Sequence, residues 1–563
     1  MLNQKLIDDV QRWISQDPDP RTVAQLQKLL EEAQADPVSA QVLADSFSGS
    51  LQFGTAGLRG ALGPGPNRMN RITVLRAAAG LGNYLIGAGF VNQLVVIGFD
   101  ARHNSAQFAQ DTAEVLAGVG FRVAIFGDVV PTPVLAFTIL DQQACAGVMV
   151  TASHNPASDN GYKVYLGDGR QIIAPIDTDI SQHIAQVSDV GLLARSHDIV
   201  TLGQDALTRY VETTAQIVST GPIPRDEIEA VRYVYTAMHG VGYRTFAYVM
   251  SHAGFGAPDC VVEQQHPDPD FPTTAFPNPE EEGSLDLAIA LATSTQSQII
   301  IANDPDADRL AVAIPDESGV WQQLCGDDVG ALLGWWMIER ARRMETPIVG
   351  TFANSLVSST LLKQIAQSAR LQFEQTLTGF KWVSRVPELR FGYEEALGYC
   401  VDPEHVRDKD GISAAMLILE MFAALHADGK TFFSVLDELS RKFGLYKTSQ
   451  LSIRVSQVSE IESTMDHLRH SPPEWLGAFE ITNVIDLALG SHLPVTDGLI
   501  FILKSMNRFT SARVIVRPSG TEPKIKCYIE IVIDRQIQHA KSVADQVMSE
   551  IKNAMQPLLE SHR

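Results

Sequence analysis

Two short segments hold residue types that could bind a hard cation and present a hydroxyl to a cleft. Asn303-Asp304-Pro305-Asp306-Ala307-Asp308-Arg309 lies between the apolar runs Ile299–Ala302 and Leu310–Ile314. In an extended chain alternate side chains share one side, so the carboxylates of Asp304, Asp306 and Asp308 are expected to converge. Three carboxylates that close repel one another unless a cation sits among them, and an all-oxygen donor set selects a hard ion such as Mg²⁺ or Ca²⁺. An EF-hand loop starting at Asp304 would require Gly and Glu where this chain has Arg309 and Pro315, so that reading fails. The second segment, Thr151-Ala152-Ser153-His154-Asn155-Pro156, follows the apolar run Ala146–Val150. A serine at the end of a buried strand, before a proline-terminated turn, can present its hydroxyl to a cleft, and His154 beside it could steer protons. The motif taken alone reads rather as an ordinary Ser/Asn turn.

Three further segments suit an anionic or polyhydroxylated ligand. Arg517-Pro518-Ser519-Gly520-Thr521-Glu522-Pro523-Lys524 combines a glycine, two hydroxyls and two cations, which suits a phosphate cradle outside the Walker pattern. Phe53-Gly54-Thr55-Ala56-Gly57-Leu58-Arg59-Gly60 offers one guanidinium in a glycine-rich loop. Gly392 to Tyr399 carries the paired carboxylates Glu394 and Glu395 beside aromatic rings, with the charged run Glu404–Gly411 downstream. Each of these, taken alone, is equally an ordinary turn or a solvated face.

The elements that must position these residues repeat along the chain. Strand Leu94–Phe99, loop Asp100–Asn104, a helix from Ser105 and strand Val123–Phe126 form one unit. A second runs from strand Tyr233–Tyr235 through a helix ending near His252 to a strand at Cys260–Val262, and a third starts at strand Ile348–Gly350 with a helix from Leu356. Such units predict three similar mixed α/β domains. The opening segment to Ala44 reads as helices punctuated by Pro18, Pro20 and Pro37. Strands at Leu451–Val455, Gly498–Ile502, Ala512–Val516 and Ile525–Val532, with a terminal helix, predict a smaller α+β domain. The expected boundaries are 1–220, 221–323, 324–445 and 446–563.

Composition bounds the function classes. The chain has 563 residues, enough for several domains, and a net charge of −22, which repels nucleic-acid phosphates and anionic lipid. No nucleic-acid or membrane partner is expected, and the apolar run Val329–Ile338 is too short to span a bilayer. The 5 cysteines are scattered, odd in number and never spaced as CxxC. With no evident signal peptide, they point to a reducing, cytoplasmic setting.

Together the segments resemble the α-D-phosphohexomutase superfamily, the phosphoglucomutases and phosphomannomutases. The resemblance rests on FGTAGLRG at 53–60, TASHNP at 151–156, DPDADR at 304–309, TGFK at 378–381, YEEALGY at 393–399 and RPSGTEP at 517–523. It implies four domains around a central cleft: three similar mixed α/β domains and a smaller C-terminal α+β domain. It also implies a phosphorylated Ser153 that completes a Mg²⁺ site with Asp304, Asp306 and Asp308. Arg59, His154, Lys163, Arg309 and Lys409 match charged positions near the transferring group, with the acid/base left open among His154, Lys163 and Lys409. Glu394, Glu395, Gly379 and Lys381 are the expected sugar contacts. Arg517, Ser519, Gly520 and Thr521 are expected to grip the phosphate that is not transferred. The implied reaction is interconversion of glucose 1-phosphate and glucose 6-phosphate, with glucose 1,6-bisphosphate as intermediate and activator, by a monomer or homodimer. Many glucose and mannose mutases carry Ser where this chain has Ala396. That departure leaves phosphomannomutase, phosphopentomutase and sugar-bisphosphate synthase as rivals. A metal phosphatase with an aspartyl nucleophile is disfavoured because its motif would want Thr or Val at Asp308.

Overall fold

The computed structural model describes residues 3–54, 57–455, 458–490, 493–505, 510–519, 524–537 and 539–560. The chain forms two compact units, Met1–Leu324 with Ala396–Ala423, and Cys325–Glu395 with Ala424–Arg563.

The first unit opens with helices Gln4–Gln16, Pro20–Glu32 and Pro37–Ser46. Asn3, Asp19 and Asp36 cap them by accepting first-turn N–H groups, and Pro20 and Pro37 stand at positions that have no intrahelical N–H bond to lose. Val10, Trp13, Leu26 and Leu43 then bury one face against Ile72, Leu75 and Ala78 of helix Arg71–Gly87. Burying a side chain such as Leu26 contributes roughly 1.5–3 kcal/mol.

Two sheets in this unit carry the chemistry-bearing loops. One is six-stranded, in the order Leu58–Ala61, Asp159–Leu166, Ala146–Val150, Leu94–Phe99, Arg122–Phe126, Ile199–Leu202. Strand Asp159–Leu166 pairs antiparallel with both its neighbours, and the remaining three pairings are parallel. The other is five-stranded, in the order Trp321–Gln323, Ala311–Pro315, Ile299–Ala302, Tyr233–Thr236, Asp259–Cys260.

In the second unit, strand Thr351–Ser355 lies parallel between Gln372–Thr376 and Leu389–Glu394. The C-terminal segment builds a six-stranded antiparallel sheet from Leu445–Arg454 to Lys524–Ile533, with helices Val458–His470 and Ala540–Glu560 on its apolar face.

Two sequence expectations shift. The strand placed at Cys260–Val262 is only Asp259–Cys260, because Val262 starts a short helix and is exposed. The strand placed at Ile348–Gly350 lies at Thr351–Ser355, and its helix starts at Leu361 rather than Leu356. Val349 is exposed and Gly350 has φ 110°, so the buried stretch begins one residue later; Leu356–Thr360 is a loop, with Asn354 Nδ2 donating to the Ser359 carbonyl. No single helix among the described residues is long and apolar enough to cross a membrane, and Val329–Ile338 lies inside helix Gly326–Arg343.

Candidate active site

Asp304, Asp306 and Asp308 lie in the loop of an antiparallel hairpin, between Ile299–Ala302 and Ala311–Pro315. They converge, with carboxylate oxygens within 4.8 Å of one another, but not by the alternation of an extended chain. The loop turns: the Ala307 N–H donates to the Asp304 carbonyl and Ala307 takes φ 55°. Asn303 Nδ2 closes the turn on the Arg309 carbonyl at 2.5 Å. Thr132, at the start of helix Thr132–Asp141, fixes Asp306 by donating from its N–H to the carbonyl and from Oγ1 to Oδ2 (2.6 Å).

Ser153 follows strand Ala146–Val150 and is 3% exposed. Its Oγ donates to Asp304 Oδ2 at 2.7 Å and lies 3.3 Å from His154 Nδ1. The neighbouring strand Asp159–Leu166 supplies Lys163, whose Nζ donates to Asp306 Oδ2 (2.7 Å) and Asp308 Oδ2 (2.9 Å). The next strand supplies Arg59, which donates to Asn155 Oδ1 at 3.1 Å. Lys409 Nζ stands 3.2 Å from Asp308 Oδ2, and the Arg309 N–H donates to Asp304 Oδ1. One side-chain cluster therefore holds Ser153, His154, Arg59, Lys163, Arg309, Lys409 and the three aspartates.

The electrostatics follow from burial. Asp304 is pushed well above the usual carboxylate range by desolvation and then by the charges of Asp306 and Asp308. Burial would raise Asp306 and Asp308 as well, but the ammonium of Lys163, joined by Lys409 at Asp308, holds both below that range. Burial would lower Lys163, yet its two carboxylate partners raise it, so it stays charged. His154 is held well below its ordinary value by burial and by Arg309 and Arg59.

The cluster fits a divalent cation. Asp306 Oδ1 and Asp308 Oδ1 are buried with no hydrogen-bond partner among the described residues. Two orphaned carboxylate oxygens beside Asp304 form an all-oxygen donor set for a hard metal.

In the second unit, Glu394 ends strand Leu389–Glu394 and its Oε1 accepts the Gly379 N–H at 2.6 Å. Lys381 follows in the short helix Phe380–Val383. The Glu395 carboxylate accepts from Ser355 Oγ (3.0 Å) and Ser358 Oγ (2.9 Å). Arg517 lies at the end of strand Thr510–Pro518, and the Ser519 N–H donates to the Lys524 carbonyl. Gly520 and Thr521 of that loop, like Thr55 and Ala56 of the first glycine-rich loop, lie outside the described residues.

Four consecutive segments match the domains of one family, phosphoglucomutase/phosphomannomutase: α/β/α domain I over residues 50–190, domain II over 208–319, domain III over 325–443 and the C-terminal domain over 505–549. The chain belongs to the phosphoglucomutase/phosphomannomutase family. It is an enzyme of the phosphosugar mutase class, with three α/β/α domains followed by a C-terminal domain. It is 45% identical over 499 residues to a protein named "Probable phosphomannomutase" from Haemophilus influenzae, covering 87% of this chain and 98% of that one. It is 35% identical over 567 residues to the human phosphopentomutase, covering 94% and 91%. The fold is similar to parafusin, a phosphoglucomutase of Paramecium, with TM-score 0.69 at 17% identity, covering 91% and 95% of the two chains.

Within this phosphomutase site, sequence reasoning missed Thr132, Asp100, Arg102 and Glu280. Glu280 lies 3.6 Å from Arg309, and Arg102 donates to the Ser153 carbonyl. Asp100–Asn104 was legible only as a polar loop. The available signal was its Asp and Arg placed directly after a buried strand, where unpaired charge is costly.

Proposed function

We propose that this phosphomutase interconverts α-D-glucose 1-phosphate and glucose 6-phosphate through a phosphoserine at Ser153. The observation that carries the reading is the Ser153 hydroxyl set 2.7 Å from Asp304 within the buried aspartate trio. A serine alone in a turn would carry no such claim. A serine facing three carboxylates that fit a divalent cation does.

In the proposed cycle, the Ser153 Oγ–P bond breaks as a sugar hydroxyl oxygen bonds to phosphorus, and the hydroxyl's proton passes through a base to the departing Ser153 Oγ, giving free Ser153 and glucose 1,6-bisphosphate. The bisphosphate turns around, and its other phosphoryl group returns to Ser153 Oγ. Asp304, Asp306, Asp308 and Ser153 would hold Mg²⁺, which when bound offsets charge on the phosphoryl oxygens. Positioning and charge neutralisation dominate such transfers, which suits the cations Arg309 and Arg59 near Ser153. Lys163, clamped by two carboxylates, is the weakest candidate for accepting the hydroxyl proton. Neutral His154, near Ser153 Oγ, is the strongest, and Lys409, 3.2 Å from Asp308 Oδ2 and 3.8 Å from Asp408 Oδ1, stands between. Arg517 and Ser519, with Gly520 and Thr521, are proposed to hold the phosphate not in transfer, and Glu394, Glu395, Gly379 and Lys381 the sugar. The five free thiols support a cytoplasmic setting.

A second reading, phosphomannomutase or phosphopentomutase, is favoured by the names of the relatives at 45% and 35% identity. Assays with glucose, mannose and ribose 1-phosphates, each with and without the matching bisphosphate, separate these. The glucose reading expects the highest kcat/KM on glucose 1-phosphate with turnover dependent on bisphosphate. A tenfold preference for mannose or ribose 1-phosphate would replace it.

A further inference from the structure

Ser153 adopts φ 53°, a left-handed conformation that disfavours a non-glycine residue and persists only where its surroundings impose it. One buried side chain gathers the carbonyls around it. Arg102, on the loop after strand Leu94–Phe99, is 4% exposed. Its Nη2 donates to the carbonyls of Ser153 (2.6 Å) and Asn155 (2.5 Å), and its Nη1 to those of Pro156 (2.7 Å) and Asp159 (3.2 Å). Four carbonyls of a single loop thus converge on one planar fork, a geometry that the point charge of a lysine does not reproduce.

The guanidinium is itself held from two sides. Its Nε lies 3.4 Å from Asp100 Oδ2, and the Phe271 ring packs against its face at 4.9 Å. Asp100 also accepts from Ser105 Oγ and Thr151 Oγ1, both at 2.6 Å. Thr151 Oγ1 in turn accepts the Ser153 N–H at 2.9 Å, so the serine's backbone is held at both its N–H and its carbonyl by one connected network.

We propose that Arg102 is a positioning residue for phosphoryl transfer: through backbone carbonyls alone, it sets the 153–159 loop so that Ser153 Oγ faces Asp304. The proposal rests on the phosphoserine reading and extends it to a group that touches neither sugar nor phosphate. Its signature is a loss in kcat rather than in KM, and poorer discrimination between sugar and water as acceptor.

The test uses the full-length protein with R102K and R102Q. Phosphate on Ser153 is quantified by mass spectrometry after incubation with glucose 1,6-bisphosphate, followed by kcat and KM on glucose 1-phosphate, phosphoserine hydrolysis without sugar, and thermal melting. The expected result is kcat per phosphorylated Ser153 down about 10²-fold in both variants, KM within about threefold, and the ratio of transfer to sugar over transfer to water down at least about tenfold. Wild-type kcat per phosphorylated Ser153 in R102K would overturn the proposal alone, marking Arg102 as a fold-stabilising residue only. Absence of phosphate on wild-type Ser153 would overturn it together with the phosphoserine reading. If the Arg102 variants do not fold, F271L and D100N carry the test: a fall in kcat at unchanged KM supports the proposal, and wild-type transfer rates in both overturn it.

Discussion

At Asp306 and Asp308, Lys163 Nζ faces two fully buried carboxylates at 2.7 and 2.9 Å, and shares only the second of them with Lys409. Removing it leaves uncompensated buried charge, which typically costs roughly 3–5 kcal/mol. Lys163→Met is therefore expected to lower the melting temperature sharply in chelator, and Mg²⁺ is expected to recover more of the loss in the variant than it adds to wild type. A variant that melts like wild type in chelator would contradict the pairing. The residue types at this site were legible because acids flanked by buried strands need a cation. The cause of their convergence was not. Alternation along an extended chain gave the right set for the wrong reason, since the turn at Ala307 depends on hydrogen bonds from Asn303 and the loop backbone that no spacing rule encodes. Arg102 was invisible for a related reason: its partners are carbonyls, and every residue has one.

At the scale of elements, the strands that lead into Ser153 and the aspartates, Ala146–Val150 and Ile299–Ala302, were legible because each is a short, fully buried run. Strand Asp159–Leu166, which carries Lys163, was not among the expected strands. The edges failed where burial and apolar character part company, as at Val262 and Val349. Helix Gly411–Ala427 shows how an element boundary serves the site. A Cβ at Gly411 would lie 2.2 Å from the Arg309 carbonyl, so only glycine allows this backbone to abut the aspartate loop. Gly411→Ala is expected to cut turnover at least tenfold and lower stability, whereas Gly203→Ala, with nothing within 4 Å of its Cβ and φ −93°, should be neutral. Equal activity in the two variants would remove the close approach from the account.

The same helix start carries a pH signature. Asp410 accepts from the N–H groups of Ile412 and Ser413 and from Tyr210 Oη, and burial pushes it up to about 6. An acid whose folded value exceeds its unfolded value binds more protons when folded. Its contribution is full below the unfolded value near 3.8 and is lost as pH rises through about 6, by roughly 3 kcal/mol in all. The stability of wild type relative to Asp410→Asn should fall by about that amount between pH 4 and 7 in denaturant titrations. A difference that stays flat across that window would show that Asp410 titrates as an ordinary carboxylate.

At the scale of the molecule, a net charge of −22 argues against a polyanion partner and sharpens the meaning of every clustered cation. Four matched segments in the family's order show that the architecture was readable from motifs spread over the chain. The sugar was less readable, because hydroxyl recognition depends on the placement of a few side chains such as Glu394 and Glu395 rather than on their presence. The central claim is that Ser153 is the phosphoryl carrier. The protein should be incubated with glucose 1,6-bisphosphate labelled in phosphate, the labelled site located by mass spectrometry, and the label chased with unlabelled glucose 1-phosphate. The account predicts about one label per chain on Ser153, chased into sugar phosphate in wild type, and neither label nor mutase turnover in Ser153→Ala. Label on an aspartate, or near-normal turnover in Ser153→Ala, would contradict it.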